Sequence, residues 1–384
     1  PESLTSPGYP MRRPSPVPDQ PARGPSATLR EATLRKPTIK DVAAQAEVSL
    51  KTVSRVVNDE TGVHARTRER VQQAIAKLGY LPDQSARSLR TAQSYAIGLL
   101  YDNPNPYYVI AMQSGVLSVC RESGYGLQIH PCDSSSKNLA NEIVELVQHA
   151  RLAGIVLAPP MSERQPLVDE LVAQGIRLVR IVSAATDPQG GSACVYVDDR
   201  DAAYEITQHL IQLGHARIGF LWGGKSHGSS WERHKGYEEA LRDYGITIDP
   251  ELVVEGDYSF DDGFRGARRL LSLPQPPTAI FGSNDEIAAG VLAAARSGGL
   301  NVPYDLSIAG FEDSPFSKQS WPPLTTAKQA TEDIARHAAR RLLDEIREQP
   351  GHTRNEGFSP ELVVRGSTAP PRPNTRPPSP RPAG

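Results

Sequence analysis

Lys51, Arg55 and Asn58 recur at helical spacing in the stretch VSLKTVSRVVND (48–59). Val53, Val56 and Val57 stand between them. With about 100° per residue, the valines fall within about 100° of one another and the polar residues gather on the opposite side. An arginine can donate two hydrogen bonds to a guanine, and a lysine can reach the same acceptors. A short helix with valine on one face and these donors on the other has the chemistry to read base edges in a DNA groove.

The surrounding elements must hold that helix out. Ile39, Val42, Ala43 and Ala46 follow the i, i+3, i+4, i+7 rule, and Val71, Ala74, Ile75 and Leu78 give another stripe. Thr38 and Ser49 sit where N-caps belong, and Gly79 follows as a stop. The tight AEVS turn joins the first two patterns, which makes a helix-turn-helix closed by a third helix. From Lys36 to Arg90 there are 10 Lys and Arg against 6 Asp and Glu. The segment is modestly basic within a chain of 384 residues and formal net charge −2. Local charge, not the total, governs nucleic-acid binding.

After Ser94 short apolar runs alternate with helical stretches: YAIGLLY (95–101), AGIVLAP (153–159), IRLVRIV (176–182), RIGFLW (217–222), TAIFG (278–282) and LSIAG (306–310). Regular strand–helix alternation means parallel sheets with helices on both faces. The length is too great for one such sheet. Two doubly wound subdomains are expected, with a cleft at the carboxyl ends of their strands. The proline-rich ends cannot bury enough apolar surface to offset ordering entropy, so both read as disordered. The expected organisation is an arm (1–36), a helix-turn-helix domain (37–81), a connecting segment (82–92), an α/β domain (93–368) and a tail (369–384).

Three cysteines, Cys120, Cys132 and Cys194, match no zinc spacing and read as reduced thiols. No metal or other cofactor is expected. No apolar run reaches the roughly 18 residues of a membrane span, and no secretory core opens the chain, so a cytoplasmic protein without membrane contact is expected. No zinc motif, phosphate-binding glycine loop or nucleophile elbow is present, which argues against an enzyme. The acidic pairs Asp198–Asp199 and Asp261–Asp262 each precede a helix, where the dipole favours them, so capping accounts for them without catalysis.

TIKDVAAQAEVSLKTVSRVVND, followed by TRERVQQAIAKLGYLPDQSARSLR, resembles the DNA-binding headpiece of the lactose-repressor (LacI/GalR) family. SYAIGLL, GIVLAPP, YVDDRDAAYEITQHLIQLGHARIGFL, PTAIFGSNDEIAAGVL and PPLTTAKQ extend the resemblance to about Ser367. It implies a small all-α helix-turn-helix headpiece joined to a periplasmic-binding-protein-like α/β domain. The implied function is a transcriptional repressor that binds palindromic double-stranded operator DNA as a homodimer. A small-molecule effector, a sugar in the first place, would control it. Purines and nucleosides are the competing ligand class within the family. A periplasmic-type sugar receptor is a remote alternative that leaves residues 37–90 unexplained.

The resemblance also assigns residues. DNA contacts fall to Thr38, Ser49, Leu50, Lys51, Thr52, Ser54, Arg55 and Asn58, with Thr67, Arg68 and Arg70 near phosphates. PDQSARSLR (82–90) is similar to the hinge helix, whose leucine wedges into the minor groove; here that is Leu89, flanked by Arg87 and Arg90. Glu47 fills a turn position often held by Gly or Asn, at a strain of about 1 kcal/mol if left-handed. His64 replaces a common Ser or Thr cap. Asp285 and Arg233 match effector-binding positions. Asn103 and Tyr107 follow the first strand, where relatives contact the effector. Ser183, Trp222, Tyr258, Asp313 and Trp321 lie at strand ends or in crossover loops, with a tryptophan available to stack on a sugar ring. The three crossovers between subdomains are expected near Val197–Asp199, Pro323–Thr326 and Glu356–Pro360.

Overall fold

A computed structural model describes residues 37–57, 62–80, 94–184, 192–348 and 355–372. They fall into two compact units on either side of the boundary between Pro82 and Asp83.

The first unit closes one core with three helices, α1 (Ile39–Gln45), α2 (Leu50–Val57) and α3 (Ala65–Leu78). Val42, Ala43, Ala46, Val53, Val56, Val71 and Ala74 are buried together. Both predicted caps form. The Asp41 carboxylate accepts from the backbone N–H and the hydroxyl of Thr38, each at 2.7 Å, and Ser49 Oγ accepts from the Thr52 N–H at 3.1 Å. His64 caps α3 without a side-chain bond, and Gly79 ends that helix at φ 61°. Glu47 does adopt the left-handed region, at φ 50°. Arg70 holds this turn: its guanidinium donates to the carbonyls of Ala46 and Glu47 and lies 3.8 Å from the Glu47 carboxylate.

The second unit contains two parallel sheets. One has six strands in the order β11-β5-β4-β3-β1-β2. They span Glu356–Phe358, Cys194–Val197, Leu178–Val182, Gly154–Leu157, Ala96–Tyr101 and Gly126–Pro131. The other runs β7-β6-β8-β9, from Val253–Val254, Ile218–Leu221, Ala279–Gly282 and Ser307–Ala309. Strands β1, β3 and β4 are buried almost throughout, as parallel strands covered on both faces must be. A third, antiparallel pair joins β10 (Thr326–Lys328) to β12 (Glu361–Val363).

The chain passes three times between the subdomains. It leaves the first sheet after Val197, returns between Lys328 and Thr331, and crosses again between Phe358 and Glu361. The second crossing corrects the expected position near Pro323–Thr326. Thr326 and Ala327 are still buried in the second subdomain against β12, so the turn waits until Gln329–Ala330. The returning helix α12 (Thr331–Ile346) then buries Ile334, Ala338, Leu342 and Leu343 in the core of the first subdomain. The tail also differs from expectation. Ala369 exchanges two 3.0 Å hydrogen bonds with Ser307, and Arg372 pairs with Asp305 at 2.7 Å. Residues 369–372 are thus docked; the expected arm (1–36) and hinge helix (82–90) lie outside the described residues. Among the described residues no helix is long and apolar enough to cross a membrane.

In the second subdomain, helix α7 (Asp199–Gln212) and helix α8 (Gly228–Asp243) meet at a glycine. A Cβ on Gly236 would strike the Arg200 carbonyl and press on Ala203. Gly236→Ala should therefore cost about 2 kcal/mol despite alanine's better helix propensity. Urea denaturation of the full chain would measure it; a gain in stability would mean that the two helices can separate freely.

Candidate functional site

The polar face of α2 is open. Leu50 is 46% exposed, Lys51 and Arg55 are exposed, and Thr52 and Ser54 are half-buried beside them. Val53 and Val56 anchor the opposite face. Ser49 is exposed at the start of this helix, and Thr38 is half-buried at the start of α1. Thr67 and Arg68 are half-buried in the first turn of α3. Asn58, Arg87, Leu89 and Arg90 lie outside the described residues.

The second site is a cavity of about 30 Å³ between the two subdomains. Asn103, Asn105, Tyr108 and Ser183 line it from the first subdomain, and His227, Ser229, Arg233, Tyr258, Asn284 and Glu312 from the second. Asp199 and Gln329 come from the first two crossovers. Arg233 is the hub. Its Nε donates to Asp199 Oδ1 at 2.7 Å, one terminal nitrogen to the Ser283 carbonyl at 2.6 Å, and the other to Gln329 Oε1 at 3.4 Å. The guanidinium lies 3.7 Å over the Phe311 ring and 4.0 Å from Glu312.

Of the nine effector residues expected from sequence, Asn103, Ser183, Arg233 and Tyr258 line this cavity. The other five are placed elsewhere. Asp285 is fully buried at the start of α10 (Asp285–Ser297), accepting from Thr326 Oγ1 and the Ser314 N–H at 2.7 Å each. Asp313 turns to Arg365 and Lys318. Trp222 packs edge-on against Phe220 and Trp231. Tyr107 packs edge-on against Phe316, and Trp321 is 76% exposed.

Sequence reasoning missed Asn105, Tyr108, Asp199, His227 and Glu312. Asn105 is the cap of α4 (Pro106–Ser123), its Oδ1 accepting from the Tyr107 N–H at 3.0 Å. The Asn-x-x-Tyr start of an amphipathic helix carried that signal. Asp199 had been explained by the helix dipole, yet it also faces Arg233 from the first turn of α7.

Burial shapes the charges here. It pushes the Glu312 carboxyl up to about 8 and that of Asp199 to about 6, although Arg233 acts to lower both. Burial likewise raises Asp285 to about 7 and lowers the His227 imidazole. Burial opposes the charge on Arg233, but Asp199 and its other neighbours more than offset it, so the guanidinium stays protonated.

The sign of the pH effect follows. A raised carboxyl binds its proton more tightly in the folded chain. Its contribution is full below its unfolded value and is lost as pH rises through its folded value. Between pH 4.5 and about 8 the folded chain should lose stability through Glu312. Glu312→Gln, which keeps an acceptor for Asn105, should flatten this decline by at most about 1.4 kcal/mol per pH unit. Calorimetry across that range on both proteins checks it; superimposable profiles would show that Glu312 ionises as freely when folded as when unfolded.

Residues 38–83 match the model for bacterial regulatory proteins of the lacI family, and residues 207–368 match that for a periplasmic binding protein-like domain. The HTH-type transcriptional repressor CytR of Escherichia coli (strain K12) is 32% identical over 332 residues, 86% of this chain and 96% of its own length. The HTH-type transcriptional repressor PurR of Haemophilus influenzae (strain PittEE) is 32% identical over 334 residues, 86% of this chain and 98% of that protein. Among solved structures, the Lac repressor dimer bound to operator and the anti-inducer ONPF superposes with a TM-score of 0.71 at 28% identity, covering 87% of this chain and 100% of that one. The transcriptional regulator CelR in complex with cellobiose gives 0.65 at 28% identity, covering 86% and 99%. Helix-turn-helix unit, twin parallel sheets and full-length similarity converge: the chain belongs to the lacI family of bacterial regulatory proteins.

Proposed function

We propose that this protein is a sequence-specific transcriptional repressor that binds a palindromic operator as a homodimer and responds to a small molecule in the cleft between its regulatory subdomains. The observation that carries the DNA half is the face of α2. Leu50, Lys51 and Arg55 are turned to solvent on a helix whose valines are locked into the core. Arg55 supplies a bidentate donor for guanine, and Leu50 supplies apolar contact for a thymine methyl. The Lac repressor is known as a dimer on operator, which supports the same assembly here.

The cleft suits a neutral, hydroxyl-rich ligand. Carboxylates, carboxamides and tyrosine hydroxyls face it, and each nitrogen of the Arg233 guanidinium already donates once, to Asp199, Ser283 or Gln329. An anionic ligand would meet the Asp199 carboxylate, which already holds the Arg233 cation. The cellobiose complex of CelR supports a sugar. About 30 Å³ holds roughly two waters, so the subdomains must part to admit any sugar. Effector and operator are then linked by one coupling energy that acts in both directions.

Arg55→Ala should cost about 1–3 kcal/mol at one base pair of each half-site and relax specificity there. Anisotropy titrations against operators substituted one position at a time would show it. A loss equal at every sequence would reassign Arg55 to phosphate. For the ligand, mono- and oligosaccharides and nucleosides are compared by thermal shift. Binding at 100 times the dissociation constant adds about 2.7 kcal/mol and raises Tm. Stabilisation by a sugar supports the reading; stabilisation by nucleosides alone replaces the ligand class.

A further inference from the structure

Glu163 ends a short 3-10 turn (Met161–Glu163) in the first subdomain, yet its carboxylate is shared with the second. Oε1 accepts from the Ser183 hydroxyl at 2.6 Å and the Ser183 N–H at 3.1 Å, both within its own subdomain. Oε2 accepts from the backbone N–H of Gly228 at 2.7 Å. Gly228 is the first residue of α8, so the carboxylate sits on the positive end of a 16-residue helix from the opposite side of the cleft. The fit is close. A Cβ on Gly228 would lie 2.5 Å from Glu163 Oε1. Gly228 has no need of a glycine's backbone, since its φ is not positive. A larger residue there would make the Glu163 carboxylate shift.

Two further contacts span the same gap: Asn105 Nδ2 donates to Glu312 at 2.7 Å, and Tyr107 meets Phe316 edge-on at 5.4 Å. All three join the two sides of the cleft through the protein's own groups. Of these, only Glu163 combines hydrogen bonds to both subdomains with a seat on a helix N-terminus. We propose that Glu163 is the clasp that holds the two subdomains together across the cleft, and that a ligand reaches the cavity only when its bond to Gly228 breaks. This rests on reading the cavity as the effector site, but the clasp can be tested without any effector.

The test is hydrogen exchange with mass spectrometry on the full chain, comparing wild type, Glu163→Ala, Gly228→Ala and the double variant. Glu163→Ala removes the acceptor. Gly228→Ala drives a methyl into it. Each should speed exchange about tenfold or more at both lips, residues 226–230 and 103–108, while the central strand 154–157 keeps its protection. The double variant should match Glu163→Ala alone, because the added methyl then meets no carboxylate. Faster exchange only around 226–230, or additive effects in the double variant, would overturn the clasp. Should Glu163→Ala lose protection in the central strand as well, Gly228→Ala decides, because alanine is well accepted in the first turn of a helix. Operator binding by the wild type is scored separately, so failure of the clasp and failure of the repressor reading are distinguishable.

Discussion

The regulatory unit depends on one buried ion pair. Arg233 and Asp199 meet at 2.7 Å with almost no exposure, where the first crossover enters α7. Taking two charges out of water is expensive, and only close geometry and full hydrogen bonding compensate for it. Both conditions are met, since Asp199, Ser283, Gln329 and the Phe311 ring surround the guanidinium. Gln329 belongs to the second crossover, and Asp198, beside Asp199, accepts from Ser359 Oγ in the third at 2.8 Å. Two of the three crossovers therefore supply residues to the cavity, and the third is tied to the first beside it.

Much of the fold was legible because it follows from periodicity. The valine stripe of α2, the caps at Thr38 and Ser49, and the glycine stop of α3 are local, and local chemistry decides them. The left-handed Glu47 was legible from the turn position alone; its stabiliser was not. Arg70 looked like a phosphate contact, yet it spends hydrogen bonds on the carbonyls of Ala46 and Glu47, a partnership across more than twenty residues that no pattern announces. The misplaced second crossover has a similar origin. PPLTTAKQ reads as a loop, but its end pairs with Glu361–Val363 far along the chain. The docking of Ala369 on Ser307 is long-range in the same way.

The site was legible to the nearest element and not to the residue. Tyr107 was expected in the cleft where Tyr108 stands, and Asp313 where Glu312 stands. Which of two neighbours faces inward depends on where a helix starts and which way a turn twists. Pro106 begins α4 and sends Tyr107 to Phe316. Left-handed backbone at Glu312 and Asp313 splits that pair, one side chain toward Arg233 and the other toward Arg365. Trp222 and Trp321 were attractive as sugar platforms on composition alone; an aromatic cluster holds the first and solvent the second.

A headpiece that offers Arg55 and Lys51 to DNA and a cleft wired to its own crossovers make one account: a repressor whose operator affinity is set by what the cleft holds. Its most direct test is selection of bound sites by the full chain from a random-sequence DNA pool, followed by sequencing. The account predicts enrichment of a palindrome whose half-sites are centred about one helical turn apart, each with a guanine for Arg55. A recovered pool no different from the starting one, despite folded and soluble protein, would contradict it.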